Sequence, residues 1–85
     1  MKIFYLRKFI KQYRKLPSDA KNQAEEKEVI FRKNPFDPSL KTHKLHGDLD
    51  EFYAFSINNK YRVIFDFDKN GDVRFYNVGN HDVYY

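Results

Sequence analysis

The stretch Phe52-Tyr53-Ala54-Phe55-Ser56-Ile57-Asn58-Asn59-Lys60-Tyr61-Arg62-Val63-Ile64-Phe65-Asp66-Phe67 decides the fold class. Aromatic and β-branched residues crowd both sides of Asn58-Asn59, a dipeptide that tolerates the left-handed conformations of a tight turn. The pattern predicts strands over 52–57 and 60–67, joined as a hairpin. Asp68-Lys69-Asn70-Gly71 follows as a second turn signal, with Asn70-Gly71 the favoured pair for a type I′ hairpin. Residues 72–78 then read as a further strand, and residues 43–46 as a short one that Gly47 breaks. The second half of the chain is therefore an antiparallel meander.

Upstream the period changes. Residues 2–6 are β-branched and aromatic and predict a first strand. Leu6, Phe9, Ile10, Tyr13 and Leu16 recur at three- and four-residue spacing, as one face of a helix does. Lys8, Lys11, Arg14 and Lys15 fall on its other side, and Pro17 stops it. Ser18 is expected as the N-cap of a second helix, with Asp19 in its first turn. Ala20, Ala24, Ile30 and Phe31 give that helix a thin apolar stripe. Pro35 and Pro38 end the helical region. The order β-α-α-β-β-β-β predicts an α+β fold, a helical hairpin packed on one face of a mainly antiparallel twisted sheet. Residues 1–85 are expected to form one domain.

Composition narrows the function. A chain of 85 residues buries only roughly 60–65% of its unfolded surface. Nine Phe and seven Tyr compensate with large apolar area per residue. The absence of Cys excludes a disulfide framework and thiolate chemistry. No run approaches the ~20 apolar residues of a membrane span, and the N-terminus does not resemble a signal peptide. A cytoplasmic protein with no membrane partner is expected. The net charge is +4 and unevenly placed. Residues 1–46 hold 12 Lys/Arg and 5 Asp/Glu, net +7, whereas residues 47–85 hold 4 and 7, net −3. Such asymmetry suits a polyanionic partner through phosphate contacts, or else marks a solvated helix face.

Within 60–67 a period of two puts Tyr61, Val63, Phe65 and Phe67 on the face that meets the helices. Arg62, Ile64 and Asp66 take the open face. A mid-strand arginine there needs water, a carboxylate or a ligand. Asp66 and Glu51 are the candidate structural partners, an anionic ligand the functional one. All three histidines lie in the second half, at His43, His46 and His81. With no Cys they make a poor zinc set, so no metal and no cofactor is expected. Acid–base chemistry near neutrality suits them better. No nucleophile elbow supports Ser/His/Asp hydrolysis, and Gly47, Gly71 and Gly79 read as turns rather than a phosphate loop.

Pro35-Phe-Asp-Pro-Ser-Leu-Lys-Thr-His-Lys-Leu-His-Gly47, Phe55-Ser-Ile57, Tyr61-Arg-Val-Ile-Phe65 and Gly79-Asn-His-Asp-Val-Tyr-Tyr85 together resemble the RelE/ParE superfamily of toxin–antitoxin systems. The ending is most similar to the YafQ-like branch, whose members are ribosome-dependent mRNA endonucleases that cut in the decoding site and are silenced by a cognate antitoxin. The resemblance implies that His81 is the C-terminal catalytic histidine, Tyr85 the aromatic after it, and His43 the histidine before the glycine. It implies that Arg62 is the mid-strand arginine that supports the scissile phosphate, with Lys41 and Lys44 in the lysine-rich segment. YafQ-like proteins carry a further histidine where Phe55-Ser56-Ile57 stands and an acid where Lys60 stands, so this chain mixes two catalytic sets.

The implied chemistry needs no added group. The RNA 2′-OH attacks the neighbouring phosphate, and the protein moves two protons and offsets the phosphorane charge. His43 or His46 is the expected base, His81 the acid and Arg62 the clamp, while Tyr85 or Tyr84 stacks on a base. Expected partners are the antitoxin, the ribosome and mRNA. The alternatives are a ParE-like toxin that inhibits DNA gyrase without cutting, and a non-catalytic RNA-binding module.

Overall fold

Strand β1, Ile3–Tyr5, leads directly into helix α1, Arg7–Arg14, and then into α2, Ser18–Lys33. The structure is a computed structural model and describes residues 1–80. Helix α1 forms because Phe9 is its buried anchor while Arg7, Lys8, Lys11 and Arg14 stay in water. It closes at Lys15, whose N–H donates to the Gln12 carbonyl at 3.1 Å, while the Leu16 N–H donates to the Tyr13 carbonyl at 3.0 Å. Pro17, not Ser18, occupies the N-cap of α2. Ser18 is already helical and the cap makes no side-chain hydrogen bond. Proline's fixed φ suits that junction, and Asp19 takes over locally by accepting from the Ala20 N–H at 2.9 Å.

Four strands follow: β2 His43–Lys44, β3 Tyr53–Ser56, β4 Arg62–Phe67 and β5 Val73–Gly79. The sheet order is β1-β5-β4-β3-β2, antiparallel except that β1 runs parallel to β5. The predicted α+β architecture is therefore the observed one, with β2 shorter than the expected 43–46. The second turn departs from type I′. Gly71 has φ +80, but Asn70 is not among the residues of positive φ. The Gly71 N–H bonds to the Asp68 carbonyl at 3.1 Å and the Asp68 N–H to the Asp72 carbonyl at 2.8 Å. A three-residue loop ending in a left-handed glycine is the other common hairpin solution.

The two sheet faces are filled differently. Phe31 is fully buried, with ring centroids 5.0 Å from Phe55, 5.0 Å from Phe65 and 5.4 Å from Phe75. Phe9, Leu16, Ala20, Val63 and Val78 complete this helix-side core. On the opposite face Leu45, Ala54 and Ile64 form a smaller cluster, covered by Leu49 and Phe52 from the segment after β2.

Between α1, α2 and the sheet runs a groove of about 470 Å³. Tyr5, Phe9, Ile10, Tyr13, Phe55 and Val63 are among its lining residues. Among the described residues no helix is long and apolar enough to cross a membrane.

Candidate functional site

The β3–β4 pairing places Ser56 opposite Arg62, and Ala54 opposite Ile64. Ala54 also pairs with His43. Cross-strand partners share a face, so His43 and Arg62 both stand on the open face, two strands apart. From strand spacing and rise their backbones lie about 12 Å apart.

Arg62 is half-buried. Its Nη1 donates to the Asn58 carbonyl at 3.1 Å and to the Tyr61 carbonyl at 3.4 Å. Neither candidate carboxylate holds it. Asp66 is taken by Arg74, whose Nε donates to Oδ1 at 2.8 Å and whose Nη2 donates to Oδ2 at 2.7 Å. Among the described residues the Nε/Nη2 edge of Arg62 has no partner. Arg74 shows, four residues along the same face, what that edge does with a two-oxygen anion.

His43 is exposed, and its Nδ1 donates to the Lys41 carbonyl at 3.1 Å. With Nδ1 protonated, the neutral ring presents Nε2 as a proton acceptor, the form a general base needs. Lys41 is exposed and has φ 53, the one non-glycine of positive φ among the described residues. It turns the chain from the short Pro38–Leu40 helical turn toward β2. Lys44 pairs with Tyr53, whose ring packs on the helix side, so Lys44 faces away from His43 and Arg62. His46 is exposed at the start of the turn Gly47–Leu49. His81, Tyr84 and Tyr85 lie outside the described residues. Gly79, two positions before His81, is paired with Arg62. Among the described residues no group of three or more His, Cys, Asp or Glu could hold a metal ion.

Two arrangements were not anticipated. A bulge between the Ile64 and Phe65 pairings inserts Tyr76 into β5, which turns Tyr76 and Asn77 to the same open face. The Tyr76 hydroxyl then donates to Asp66 Oδ2 at 3.1 Å, completing a three-donor shell around a nearly buried carboxylate. Burial and the Asp66 charge beside it hold the Tyr76 phenol above the usual tyrosine range. The signal for the Asp66–Arg74 pair was present in the turn. Counting outward from Asp68 and Asp72 sets residue 66 opposite residue 74. The second arrangement is Asn58, whose side chain organises the loop before Arg62.

No protein-family profile matches the chain, and no curated protein matches it by sequence. Solved structures do match. The YoeB/ParE toxin from Agrobacterium tumefaciens superposes with a TM-score of 0.80 at 14% identity, covering 95% of this chain and 99% of that one. The fold is that of the YoeB/ParE toxin. YafQ from E. coli strain BL21(DE3) superposes at TM-score 0.79 and 17% identity, over 98% of this chain and 96% of its own. The toxin–antitoxin complex RelBE2 from Mycobacterium tuberculosis gives TM-score 0.78 at 15% identity, over 94% and 96%. The structural neighbours thus include YafQ and a RelE-type protein, as the sequence resemblance implied. They share the two helices over a five-stranded open sheet described above.

Proposed function

We propose that this protein is the toxin of a toxin–antitoxin pair and a metal-independent endoribonuclease that cuts mRNA on the ribosome. One observation carries the reading: Arg62 stands on the open sheet face with its Nη1 satisfied and its Nε/Nη2 edge without a partner among the described residues. That edge has the geometry for a phosphodiester's two oxygens. His43, on the same face, takes the 2′-OH proton through Nε2. His81 donates to the leaving 5′ oxygen, and Arg62 offsets the charge that develops on the phosphorane. Lys41 and His46 contribute to RNA binding on this side, Lys44 could meet RNA only from the opposite face, and Tyr84 and Tyr85 offer rings for stacking. The solved complex of RelBE2 supports an antitoxin as partner. Ribosomes and mRNA place the activity in the cytoplasm.

Primer extension on mRNA from cells expressing the wild-type chain, Arg62→Ala and His81→Ala tests this. The wild type cuts within translated codons. Arg62→Ala lowers cutting by ~10²–10³-fold, the scale of one lost charge-stabilising donor. His81→Ala lowers it by ~10²–10⁴-fold, the scale of one acid–base group. Arrested growth with uncut mRNA and inhibited DNA gyrase would establish the ParE-like alternative instead. Salt-sensitive RNA binding with no cutting on ribosomes would establish a non-catalytic module.

A further inference from the structure

Asn58 ties the loop between β3 and β4 together through every hydrogen-bonding group of its side chain. Oδ1 accepts from the N–H groups of Lys60 and Tyr61, both at 2.8 Å. Nδ2 donates to Gln23 Oε1 on α2 at 2.7 Å. Its own carbonyl accepts from Arg62 Nη1 at 3.1 Å. The Tyr61 carbonyl is drawn into the same knot, accepting from Arg62 Nη1 at 3.4 Å and from the Ile57 N–H at 3.0 Å.

We propose that Asn58 is the positioning residue for Arg62: it folds the loop so that two carbonyls occupy Nη1 and the Nε/Nη2 edge is held outward for an RNA phosphodiester. The inference rests on Arg62 as the phosphate clamp proposed above. An arginine side chain has many rotamers, and a free one must be ordered by each substrate it binds. The two carbonyls do that ordering before substrate arrives. They can do it only while the loop keeps its shape, and no regular strand pairing holds residues 58–60. An oxygen on the residue-58 side chain supplies that shape by accepting two successive loop N–H groups, a turn geometry open to Asn and Asp. The bond to Gln23 adds a fixed distance from the loop to the helical layer. Lys60 Nζ lies 5.3 Å from the Tyr61 ring centroid, a cation–π contact that further steadies the loop.

The test compares wild type, Asn58→Ala, Asn58→Asp and Gln23→Ala, each with and without Arg62→Ala. Ribosome-dependent cleavage gives kcat and KM, thermal unfolding gives stability, and the NMR signal of the Arg62 Nε–H is followed during titration with inorganic phosphate. Asn58→Ala is expected to lower kcat about ten- to a hundredfold, the effect of misplacing a reacting group by about an ångström. Asn58→Asp keeps the oxygen and restores most of that loss. In the Arg62→Ala background Asn58→Ala has no further effect, because the group it positions is gone. A general loss of stability would instead act equally in both backgrounds, and that result overturns the inference. So does a wild-type kcat in Asn58→Ala. If Arg62→Ala cleaves normally, or no variant cuts RNA, the clamp itself is wrong and the phosphate titration still judges Asn58. A response of the Arg62 signal that is lost in Asn58→Ala and kept in Asn58→Asp supports the positioning. An identical response in all variants overturns it.

Discussion

Asp66 is nearly buried, yet each of its oxygens has a donor, which is the condition for keeping a carboxylate out of water. Arg74 is two-fifths exposed, so the pair lies between surface and core. Arg74→Ala leaves Asp66 with only the Tyr76 hydroxyl, and we expect a lower midpoint in urea unfolding. Tyr76→Phe gives a different signature, in pH. The Tyr76 pKa is raised in the folded state, chiefly by burial and then by the Asp66 charge. The fold therefore holds a proton that the unfolded chain releases. That stabilisation is complete below the ordinary tyrosine pKa of about 10 and is lost as pH climbs from there through the folded value. Tyr76→Phe should make the fall in stability above about pH 10 shallower. Tyr5 and Tyr13, also raised mainly by burial, keep some slope in place. An unchanged alkaline slope in Tyr76→Phe would show that neither burial nor Asp66 raises the phenol in the fold.

The hairpin between β4 and β5 is the element whose sequence spoke most clearly and was still misjudged in detail. Gly71 carries the positive φ alone, and a Cβ built there meets nothing within 4 Å. Gly71→Ala therefore adds no clash and costs only the left-handed backbone, about 1–2 kcal/mol. Gly71→Asn, with a side chain that tolerates this region, should cost less, and thermal unfolding of the pair separates backbone strain from any packing effect. Asn70-Gly71 marked the turn correctly because glycine punctuates whatever loop length is used. It did not say whether two residues or three lie in the loop, since that depends on how β4 and β5 close. The helices were legible for a similar reason: Phe9 and Phe31 recur on apolar stripes that only a helix explains. The parallel pairing of β1 with β5 was not legible, because it joins residues 3–5 to residues 73–75 and no local pattern spans that gap. The site divides the same way. The open-face position of Arg62 followed from a period of two, whereas its hold by Asn58 depends on a loop whose residues have no period.

At the scale of the whole molecule, charge and shape meet at α1. Gln12 on this helix accepts the Val78 N–H at 2.9 Å, which sets α1 alongside the end of β5 that pairs with Arg62. Phe9 faces the core, and Lys8, Lys11 and Lys15 are exposed on the outward side. The net +7 of residues 1–46 is thus carried partly on a helix adjoining the proposed phosphate clamp. If RNA runs from the clamp across this helix, each lysine that meets a phosphate releases counterions, and affinity falls with salt accordingly. For single strands the slope of log K against log salt changes by about 0.7 per phosphate neutralised. Replacing Lys8, Lys11 and Lys15 by Gln should therefore flatten the slope by about 2, whereas Arg62→Ala should flatten it by only about 0.7. Fluorescence anisotropy of a single-stranded RNA oligonucleotide across a salt series measures both. A triple variant with the wild-type slope would mean that the lysines of α1 are merely solvated, and that the charge asymmetry of the chain serves something other than RNA.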